Sequence, residues 1–440
     1  MDTTVSEVVQ FIAENDVKFI RLAFCDIFGN QKNIAIMPSE LPRAFAHGIH
    51  FNASALRGFL NVEDSDLLLF PDPSTLSILP WRPSQGRVVR FYCDIKYPDG
   101  RPFEGDGRNI LRAACQRARR AGYSVTMGTA SEFYLFELDE TGAPTSLPHD
   151  HGEYFDVAPL DKGENVRRQI CLTLEEMGIQ PEASHHEQGP GQNEIDFKYS
   201  NALQAADNMI TFKWVVKTMA GSSGLFASFL PKPLPGEPGS GLHINLSLFR
   251  DGENIFRDPH VAHSKTAESF IAGVLAHARE MNLFFNPLVN SYERLGEFEA
   301  PRYVTWSHQN RCPLISIPLA HGDTPNRMKI RALDGCINPY IAFALLIHAG
   351  LDGIEQKLPL GPACDVNLFT APAEVVSRYD AVPASLCEAI RLAQQSRFID
   401  AHLAARTLEG FFSAKQAEHD RIAAARNRPA AEHELYFARY

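Results

Sequence analysis

The chain lacks the cysteine spacing of a redox protein or a zinc protein. Its eight cysteines are scattered through 440 residues, at positions 25, 93, 115, 171, 312, 336, 364 and 387. No two of them are close enough for a CxxC pair or a metal knuckle. Scattered free thiols are typical of a reducing compartment, so we expect a cytoplasmic protein.

Also absent are the hydrophobic runs that direct a chain to a membrane. Met1 is followed by Asp-Thr-Thr-Val-Ser-Glu, which is not a basic leader before an apolar run. No uninterrupted apolar stretch approaches the ~20 residues that span a bilayer. We therefore expect neither a secretory leader nor a membrane partner.

Positive charge is in deficit, with 42 Lys and Arg against 53 Asp and Glu and a formal net charge of -11. Because no basic cluster compensates this charge, a nucleic-acid partner is not expected. Apolar residues make up 45% and charged residues 22%, the balance of an ordinary globular protein. The length allows two or three domains.

The order of the predicted elements indicates an α+β protein. Residues 4–15 predict an amphipathic helix, and strands at 17–24 and 31–36 form a hairpin around a turn at 26–30. Further strands are predicted at 66–70, 76–80, 87–95, 124–137, 181–187, 193–198, 225–230 and 241–249, and helices at 107–122, 162–177, 201–220, 264–284 and 338–352. We place a small β-rich domain at residues 1–104 and a larger domain at 105–440. The C-terminal region from about residue 384 is predicted to be helical.

The segment from Ser184 to Glu194 contains two imidazoles and two carboxylates around a Gly-Pro-Gly turn. Such a turn can aim Glu187 and Glu194 at one point from adjacent strands. Glu132 enters a run of apolar and aromatic residues, where a carboxylate is costly unless it is paired or metal-bound. Together the three predict an oxygen cage for Mg²⁺ or Mn²⁺. The alternative for the segment from Ser184 to Glu194 is a polar surface hairpin. The alternative for Glu132 is that it begins a strand at the surface.

Two further groups of residues suggest ligand binding. A glycine loop that includes Gly239 runs into a strand on which His243, Asn245 and Ser247 share one face. Glycines let a backbone approach a ligand closely, although a plain tight turn is the alternative. The second group combines a carboxylate with basic residues suited to an anionic substrate or phosphates, and surface ion pairing is its alternative. Its members are Arg294, Glu299, Arg311, Arg327, Lys329 and Arg331.

Taken in order, several segments resemble glutamine synthetase of the bacterial type, over nearly the whole chain. The segments are residues 51–59, 65–72, the Glu132 strand, 184–194, 231–233, 239–243, 306–311 and 338–340. The resemblance implies a small N-terminal β-grasp domain and a larger catalytic domain with a curved antiparallel sheet and flanking helices. It also implies self-association in hexameric rings, two of which form a dodecamer, with active sites between neighbouring subunits.

The resemblance further implies an ATP-dependent ligase. ATP phosphorylates the γ-carboxylate of glutamate, and ammonia or an amine then displaces phosphate from the acyl phosphate, with two divalent cations assisting. The implied ligands of the first cation are Glu132, Glu187 and Glu194. The implied catalytic residues are Glu299, Asp66 and Arg311. The implied substrate contacts are Arg294, Arg331, Gly239, His243 and Asn52, and the nucleotide contacts are Ser247, Asn245, Arg311, Lys329 and Arg327.

The chain departs from the family pattern at the second cation site and around it. His243 matches one ligand of that site, but Ala130 and Lys329 stand where the family has acidic residues. Asn52 replaces an aspartate of the ammonium site. Pro238 replaces an asparagine, and Ser316 replaces an arginine expected to face the phosphates.

Three hypotheses remain open. The first is an active but altered or weakened ligase, in which Lys329 supplies a fixed positive charge. The second is a pseudoenzyme that acts as a sensor, a regulatory subunit or an assembly partner. The third is different chemistry on a glutamate-like acid with one metal, for which the sequence offers no positive sign.

Overall fold

Two β-sheets organise the chain in the computed structural model, which describes residues 4–257, 263–318 and 326–440. The strands are β1 (Val17–Cys25), β2 (Gln31–Ile36), β3 (Ile49–Asn52), β4 (Asp66–Pro71), β5 (Ser77–Ile78), β6 (Arg87–Lys96), β7 (Ser124–Leu138), β8 (Pro144–Pro148), β9 (Pro181–His186), β10 (Gln192–Asn201), β11 (Leu225–Ser228), β12 (Leu242–Arg250), β13 (Glu253–Asn254), β14 (Trp306–Ser307), β15 (Ile315–Ser316) and β16 (Met328–Leu333).

The helices flank these sheets and fill the C-terminal part. They are α1 (Val5–Glu14), α2 (Leu41–His47), α3 (Gly107–Arg120), α4 (Glu164–Glu176), α5 (Ala202–Ser222), α6 (Lys265–Phe285), α7 (Ser291–Arg294), α8 (Pro339–Glu355), α9 (Ala373–Val376), α10 (Leu386–Gln394), α11 (Arg397–His402), α12 (Ala405–Ala424) and α13 (Arg428–Tyr436). Among the described helices, none combines the length and apolarity needed to cross a bilayer.

The first sheet has the order β2-β1-β6-β4-β3, with β5 beside β6, and its β1–β6 pair is parallel. The predicted hairpin of β1 and β2 is present. Asp26 closes its turn by accepting hydrogen bonds from the amides of Phe28 (3.0 Å) and Asn30 (2.9 Å). Gly29 has φ +81° and lies against the backbone of Asn338, so a side chain fits neither the conformation nor the space. The turn therefore anchors the first sheet to the start of α8.

The second sheet has the order β14-β15-β16-β12-β7-β10-β9, and β7 also pairs with β8 and β11. The sequence predicts an antiparallel sheet, and one pair corrects that prediction. Trp306 and Ser307 of β14 run parallel to Ile315 and Ser316 of β15, because the chain loops back before it enters β15. The sheet is therefore mixed. The predicted strand at 76–80 is reduced to β5.

A buried arginine joins the two parts of the chain. Arg108 in the first turn of α3 is 3% exposed and donates to the carboxylates of Asp72 (3.0 Å), Asp94 (2.9 Å) and Asp207 (3.0 Å). Asp94 belongs to β6 of the first sheet and Asp207 to α5. Because a buried guanidinium needs such partners, this network fixes how α3 sits between them.

Candidate active site

The centre of the candidate site is a pair of glutamates on neighbouring strands. Glu132 of β7 lies directly opposite Glu194 of β10 in the antiparallel register, and Glu194 lies opposite His185 of β9. Residues paired in this way project from the same face of a sheet. The register therefore places two carboxylates and an imidazole in one row.

Glu187 joins this row from the turn that follows β9. His185 Nε2 lies 3.1 Å from Glu187 Oε1 and 3.8 Å from Glu194 Oε1. Ligand atoms of His185, Glu187 and Glu194 all lie within 4.8 Å of one another, and so do those of Glu132, Glu194 and His243. The two sets share Glu194, so the four residues predicted as metal ligands form one continuous cluster.

The environment of the cluster favours a cation. Glu132 Oε2 accepts hydrogen bonds from the amide of Gly241 (2.7 Å) and from Gln192 Nε2 (3.3 Å). Burial and the nearby Glu187 carboxylate raise the pKa of Glu132. Burial and Glu132 raise the pKa of Glu194. Oxygen donors that repel one another in a buried place suit a hard divalent cation, so the residues present fit Mg²⁺ or Mn²⁺.

A buried ion pair lies directly behind Glu187. Both ring nitrogens of His186 face acceptors, with Nε2 2.8 Å from Asp150 Oδ1 and Nδ1 2.6 Å from the carbonyl oxygen of Glu187. Both nitrogens must therefore donate, which requires the imidazolium. Asp150 also accepts from the amides of Gly152, Lys162 and Gly191. The pair ties the backbone of Glu187 to the turn before Glu194.

Arginines line a further part of the cavity, here called the arginine wall. Arg294 is 4% exposed and donates to the carbonyl oxygens of Arg331 (3.2 Å) and Ala332 (3.3 Å). A Cβ at Gly241 would approach Arg294 Nη2 to 2.6 Å. A Cβ at Gly239 would approach the carbonyl oxygen of Pro231 even more closely, and Arg294 Cγ to 2.8 Å. The two glycines therefore leave room for this arginine and, at Gly239, for the backbone of Pro231, which the sequence did not reveal.

A short segment with unusual backbone carries Glu299. Phe298 and Glu299 have φ of +44° and +66°, and Gly296 has φ +95°. Glu299 Oε2 lies 3.6 Å from both Arg311 Nη1 and Arg331 Nη2. The carboxylate thus faces the arginines from the mouth of the cavity without a short hydrogen bond to either.

The surroundings of His243 differ from those that the family resemblance implies for a second cation site. Ala130 lies opposite both His243 and Asp196 in the sheet, and Lys329 of β16 lies opposite Ser316 and Asn245. Burial lowers the pKa of His243, and the nearby Lys329 lowers it further. A neutral imidazole can act as a metal ligand beside Glu132 and Glu194, and the Lys329 ammonium adds a positive charge next to it.

The cavity has a volume of about 630 Å³ and brings together most of the predicted site residues. Those that line it are Glu132, Glu187, Glu194, Gly239, His243, Arg294, Glu299, Arg311, Arg327, Lys329 and Arg331. Pro238 and Ser316 line it as well. The individual roles assigned to these residues stay predictions.

Four predicted residues do not line the cavity. Ser247 donates instead to the carbonyl oxygen of Asn326 (2.8 Å), and Asn245 accepts from Arg327 Nε (3.2 Å). Asn52 and Asp66 lie opposite each other on β3 and β4 of the first sheet. Asn52 Oδ1 accepts from the amide of Ser54 (3.0 Å), and Asp66 pairs with His50 (2.9 Å).

Sequence reasoning did not single out several residues of this site. His185 contacts two predicted ligands, and Gln192 links Glu132 to the carbonyl oxygen of Gly239. Tyr154 lines the cavity and packs edge-on against His185. The hairpin register around Gly189-Pro190-Gly191 could have revealed His185, since it sets His185 opposite Glu194. Tyr154 lies in a long connection with no sequence signal.

A carboxylate cluster that faces an arginine wall, on a large sheet beside a smaller one, defines an enzyme of the cation-assisted kind that acts on anionic substrates. Two family profiles cover the chain. "Glutamine synthetase, beta-Grasp domain" matches residues 16–98 and "Glutamine synthetase, catalytic domain" matches residues 104–435. The chain belongs to the glutamine synthetase family. The predicted family, fold class and enzyme class, a ligase, are thereby confirmed.

Comparison with individual proteins indicates the same family. The chain is 46% identical to the glutamine synthetase of Methanosarcina mazei over 95% of its length and 94% of the relative. It is 44% identical to the glutamine synthetase of Thermus thermophilus, with 96% of each chain covered. Among solved structures, "GmaS/ADP complex-Conformation 1" matches with a TM-score of 0.87 at 29% identity, over 97% of this chain and 99% of that one.

Proposed function

We propose that the protein is an ATP-dependent ligase that forms a γ-glutamyl amide from glutamate and ammonia or an amine, through an acyl phosphate. The observation that carries this proposal is that Glu132, Glu187 and Glu194 line a single cavity together with Arg294 and Arg331, and that Glu194 belongs to both sets of clustered ligand atoms. A cation held by the carboxylates would neutralise charge between the bound anions. The arginines suit the carboxylates of glutamate.

The remaining residues define what the chain itself contributes. The terminal phosphoryl group moves from ATP to the γ-carboxylate, and ADP leaves. The nitrogen nucleophile then attacks the carbonyl carbon, the bond to phosphate oxygen breaks, and phosphate departs. Glu299 is the proposed acceptor of the proton that the nitrogen releases, since its carboxylate lines the cavity and lies 3.6 Å from both Arg311 and Arg331. The arginines stabilise the charge that develops on the departing phosphate.

The ligase is altered at the nucleotide side. Burial and the neighbouring Arg331 lower the pKa of Lys329, which lies near Glu194 and Asp196. An ammonium there supplies a fixed positive charge, but it cannot coordinate two phosphates at a set geometry. The presence of Asn52 in place of a carboxylate favours an amine over ammonium. We therefore expect weak use of ammonia.

The second candidate is a catalytically silent protein that keeps the fold and senses a ligand or regulates a partner. The observation that favours it is the grouping of substitutions. Ser316 and Lys329 line the cavity from the adjacent strands β15 and β16, and Ala130 lies opposite His243, which also lines it. The variant Ala130→Glu/Lys329→Glu/Ser316→Arg should then gain turnover.

The decisive experiment measures phosphate release from ATP with glutamate and a panel of ammonia, methylamine, ethanolamine and polyamines. Amide formation with at least one of them supports the ligase. No turnover with any of them, together with gain of turnover in the triple variant, favours the silent protein. Calorimetry of ATP with and without Mg²⁺ tests Lys329 separately, because binding without the metal is expected if the ammonium replaces the second cation.

Assembly in hexameric rings, two of them stacked as a dodecamer, is also proposed. Asn52 and Asp66 do not line the cavity of their own chain, although the family resemblance assigns them to the ammonium site. A neighbouring copy would bring them to it. Light scattering at micromolar concentration checks the mass, and a monomer with full activity would contradict this arrangement. A cytoplasmic location likewise remains a prediction.

A further inference from the structure

Residues 296–300, here called the flap segment, carry Glu299 and are folded by few internal contacts. The amide of Gly296 donates to the carbonyl oxygen of Ala300 (3.0 Å), and the amide of Ala300 donates to that of Glu297 (2.8 Å). Phe298 and Glu299, between these bonds, hold left-handed backbone that side chains rarely adopt. Such a conformation persists only where the surroundings impose it.

Lys232 supplies an external contact that the flap segment needs. Its side chain is 5% exposed, and Nζ donates to Glu297 Oε2 at 3.0 Å. The same ammonium lies 4.6 Å from the centroid of the Phe298 ring, within the range of a cation–π contact. One buried cation thus contacts two consecutive residues immediately before Glu299.

The base of this contact is rigid. The amide of Lys232 donates to Asn290 Oδ1 (2.7 Å), and Asn290 Nδ2 donates back to the carbonyl oxygen of Lys232 (2.9 Å). Asn290 is 3% exposed and precedes α7, which ends at Arg294 of the arginine wall. The support for the flap segment and the support for the substrate arginine are therefore one structure.

We propose that Lys232 is a positioning residue that holds the flap segment over the cavity, so that Glu299 faces the arginines and water is kept from the acyl phosphate. The inference rests on the proposed ligase function. When the flap segment loosens, water replaces the nitrogen nucleophile. Water oxygen attacks the carbonyl carbon, the bond to phosphate oxygen breaks, phosphate leaves, and glutamate is regenerated as the water gives up its proton to solvent.

The test uses the full chain, four variants of the contact and one control variant. Lys232→Met keeps the apolar stem and removes the charge, Lys232→Arg keeps the charge, and Glu297→Gln removes the exposed partner. The double variant Lys232→Met/Glu297→Gln completes a cycle. Lys265→Met is the matched control, because Lys265 pairs with Glu268 on the exposed face of α6.

The first readout is phosphate released per amide formed. We expect the ratio to rise ~5-fold in Lys232→Met and in Glu297→Gln, with KM for ATP unchanged, since a change of this size follows from losing about one ion pair. The double variant should add little to either single change. Lys232→Arg should stay closer to the unchanged protein, and Lys265→Met should match it. An unaltered ratio in both single variants, with the fold intact, overturns the inference.

The second readout does not depend on turnover. Hydrogen exchange of the amides of residues 296–300, without substrates, should be ~5-fold faster in Lys232→Met and in Glu297→Gln than in the control. Exchange that is unchanged in both variants refutes the positioning role even where no nucleophile is used. Faster exchange in a protein without turnover would support the positioning role of Lys232 while contradicting the proposed ligase function.

Discussion

Glu132 and Glu194 lie directly opposite each other on the antiparallel strands β7 and β10. Both carboxylates are held in a place where burial raises their pKa. Like charges opposite each other destabilise a sheet unless something compensates them. The pair by itself therefore contributes little to the stability of the fold. Its position is explained if the two carboxylates are ligands of a cation.

Replacing Glu194 with Gln should weaken Mn²⁺ binding by at least about 10–100-fold, because it removes the ligand that both donor sets share. Titration calorimetry of Mn²⁺ without nucleotide measures the change directly. The same variant should unfold at a temperature no lower than the parent in metal-free buffer, since a buried carboxylate repulsion is relieved.

Glu137→Gln provides the control for the Mn²⁺ titration. Glu137 lies on the same strand as Glu132 but pairs with His149 outside the cavity. Equal Mn²⁺ affinity in the Glu194 variant and this control would remove the case for a metal at the cluster.

Asp150→Asn should weaken Mn²⁺ binding about 10-fold, although Asp150 is not among the predicted ligands. The carboxylate holds the His186 imidazolium against the carbonyl oxygen of Glu187, so the amide leaves that imidazolium without its counter-charge. Stability should also fall, by about 3 kcal/mol, as expected when one partner of a buried pair is removed.

Asp139→Asn is the matched control for Asp150. Asp139 also accepts backbone amide hydrogens, from Thr141 and Ala143, but it does so in an exposed turn. Urea unfolding and Mn²⁺ calorimetry on both variants separate the two effects. Unchanged Mn²⁺ affinity in folded Asp150→Asn would show that the ion pair serves folding alone.

Arg108→Met should destabilise the protein by about 3–5 kcal/mol, because it leaves the carboxylates of Asp72, Asp94 and Asp207 without their common buried partner. Chemical unfolding of the metal-free protein measures the loss. Arg112→Met, one turn further along α3, removes only a partly exposed bond to Asp94 and should cost less than about 1 kcal/mol. Similar losses in the two variants would contradict the account of Arg108 as the link between β6 and α5.

Stability should fall as the pH drops from about 6.5, and His348 should account for part of that fall. The ring is stacked on His402 at 3.8 Å, and Arg117 lies 3.1 Å from its Nδ1, which must accept. Burial, followed by the neighbouring His402 and Arg117, lowers the pKa of His348 to about 3. Below pH 6.5 the imidazole of His348 binds a proton in the unfolded chain but stays neutral in the folded protein. The free energy of unfolding that is present at neutral pH is therefore lost progressively toward pH 3.

His348→Gln keeps an acceptor for Arg117 and removes this titration. Between pH 7 and pH 5, the free energy of unfolding of this variant should decrease less than that of the parent. The difference between the two decreases should be about 1–2 kcal/mol. Urea unfolding at each pH gives the comparison. Replacement of the exposed His47 by Gln is the control, and parallel pH curves for the parent and His348→Gln would argue against the stacked pair as the cause.

Much of the fold and of the metal cluster follows from local sequence. The period-2 and period-3.6 patterns predicted most of the longer strands and helices to within a few residues, because each buries one face against a neighbour. The turn Gly189-Pro190-Gly191 predicted the convergence of Glu187 and Glu194, since its length leaves little choice of register. The short strands β14 and β15 were not predicted, because two residues carry no periodicity.

The sequence by itself determined the family, because residue identity and order along the chain carry that information. It also predicted three carboxylates for a first cation site and the departures from the family pattern at positions 130 and 329. Only the tertiary structure decided that His185 joins the cluster, that Gly241 leaves room for Arg294, and that Lys232 reaches the flap segment. Each of these contacts joins residues whose meeting depends on strand register or close packing. Only the folded chain fixes which distant side chains share a buried space.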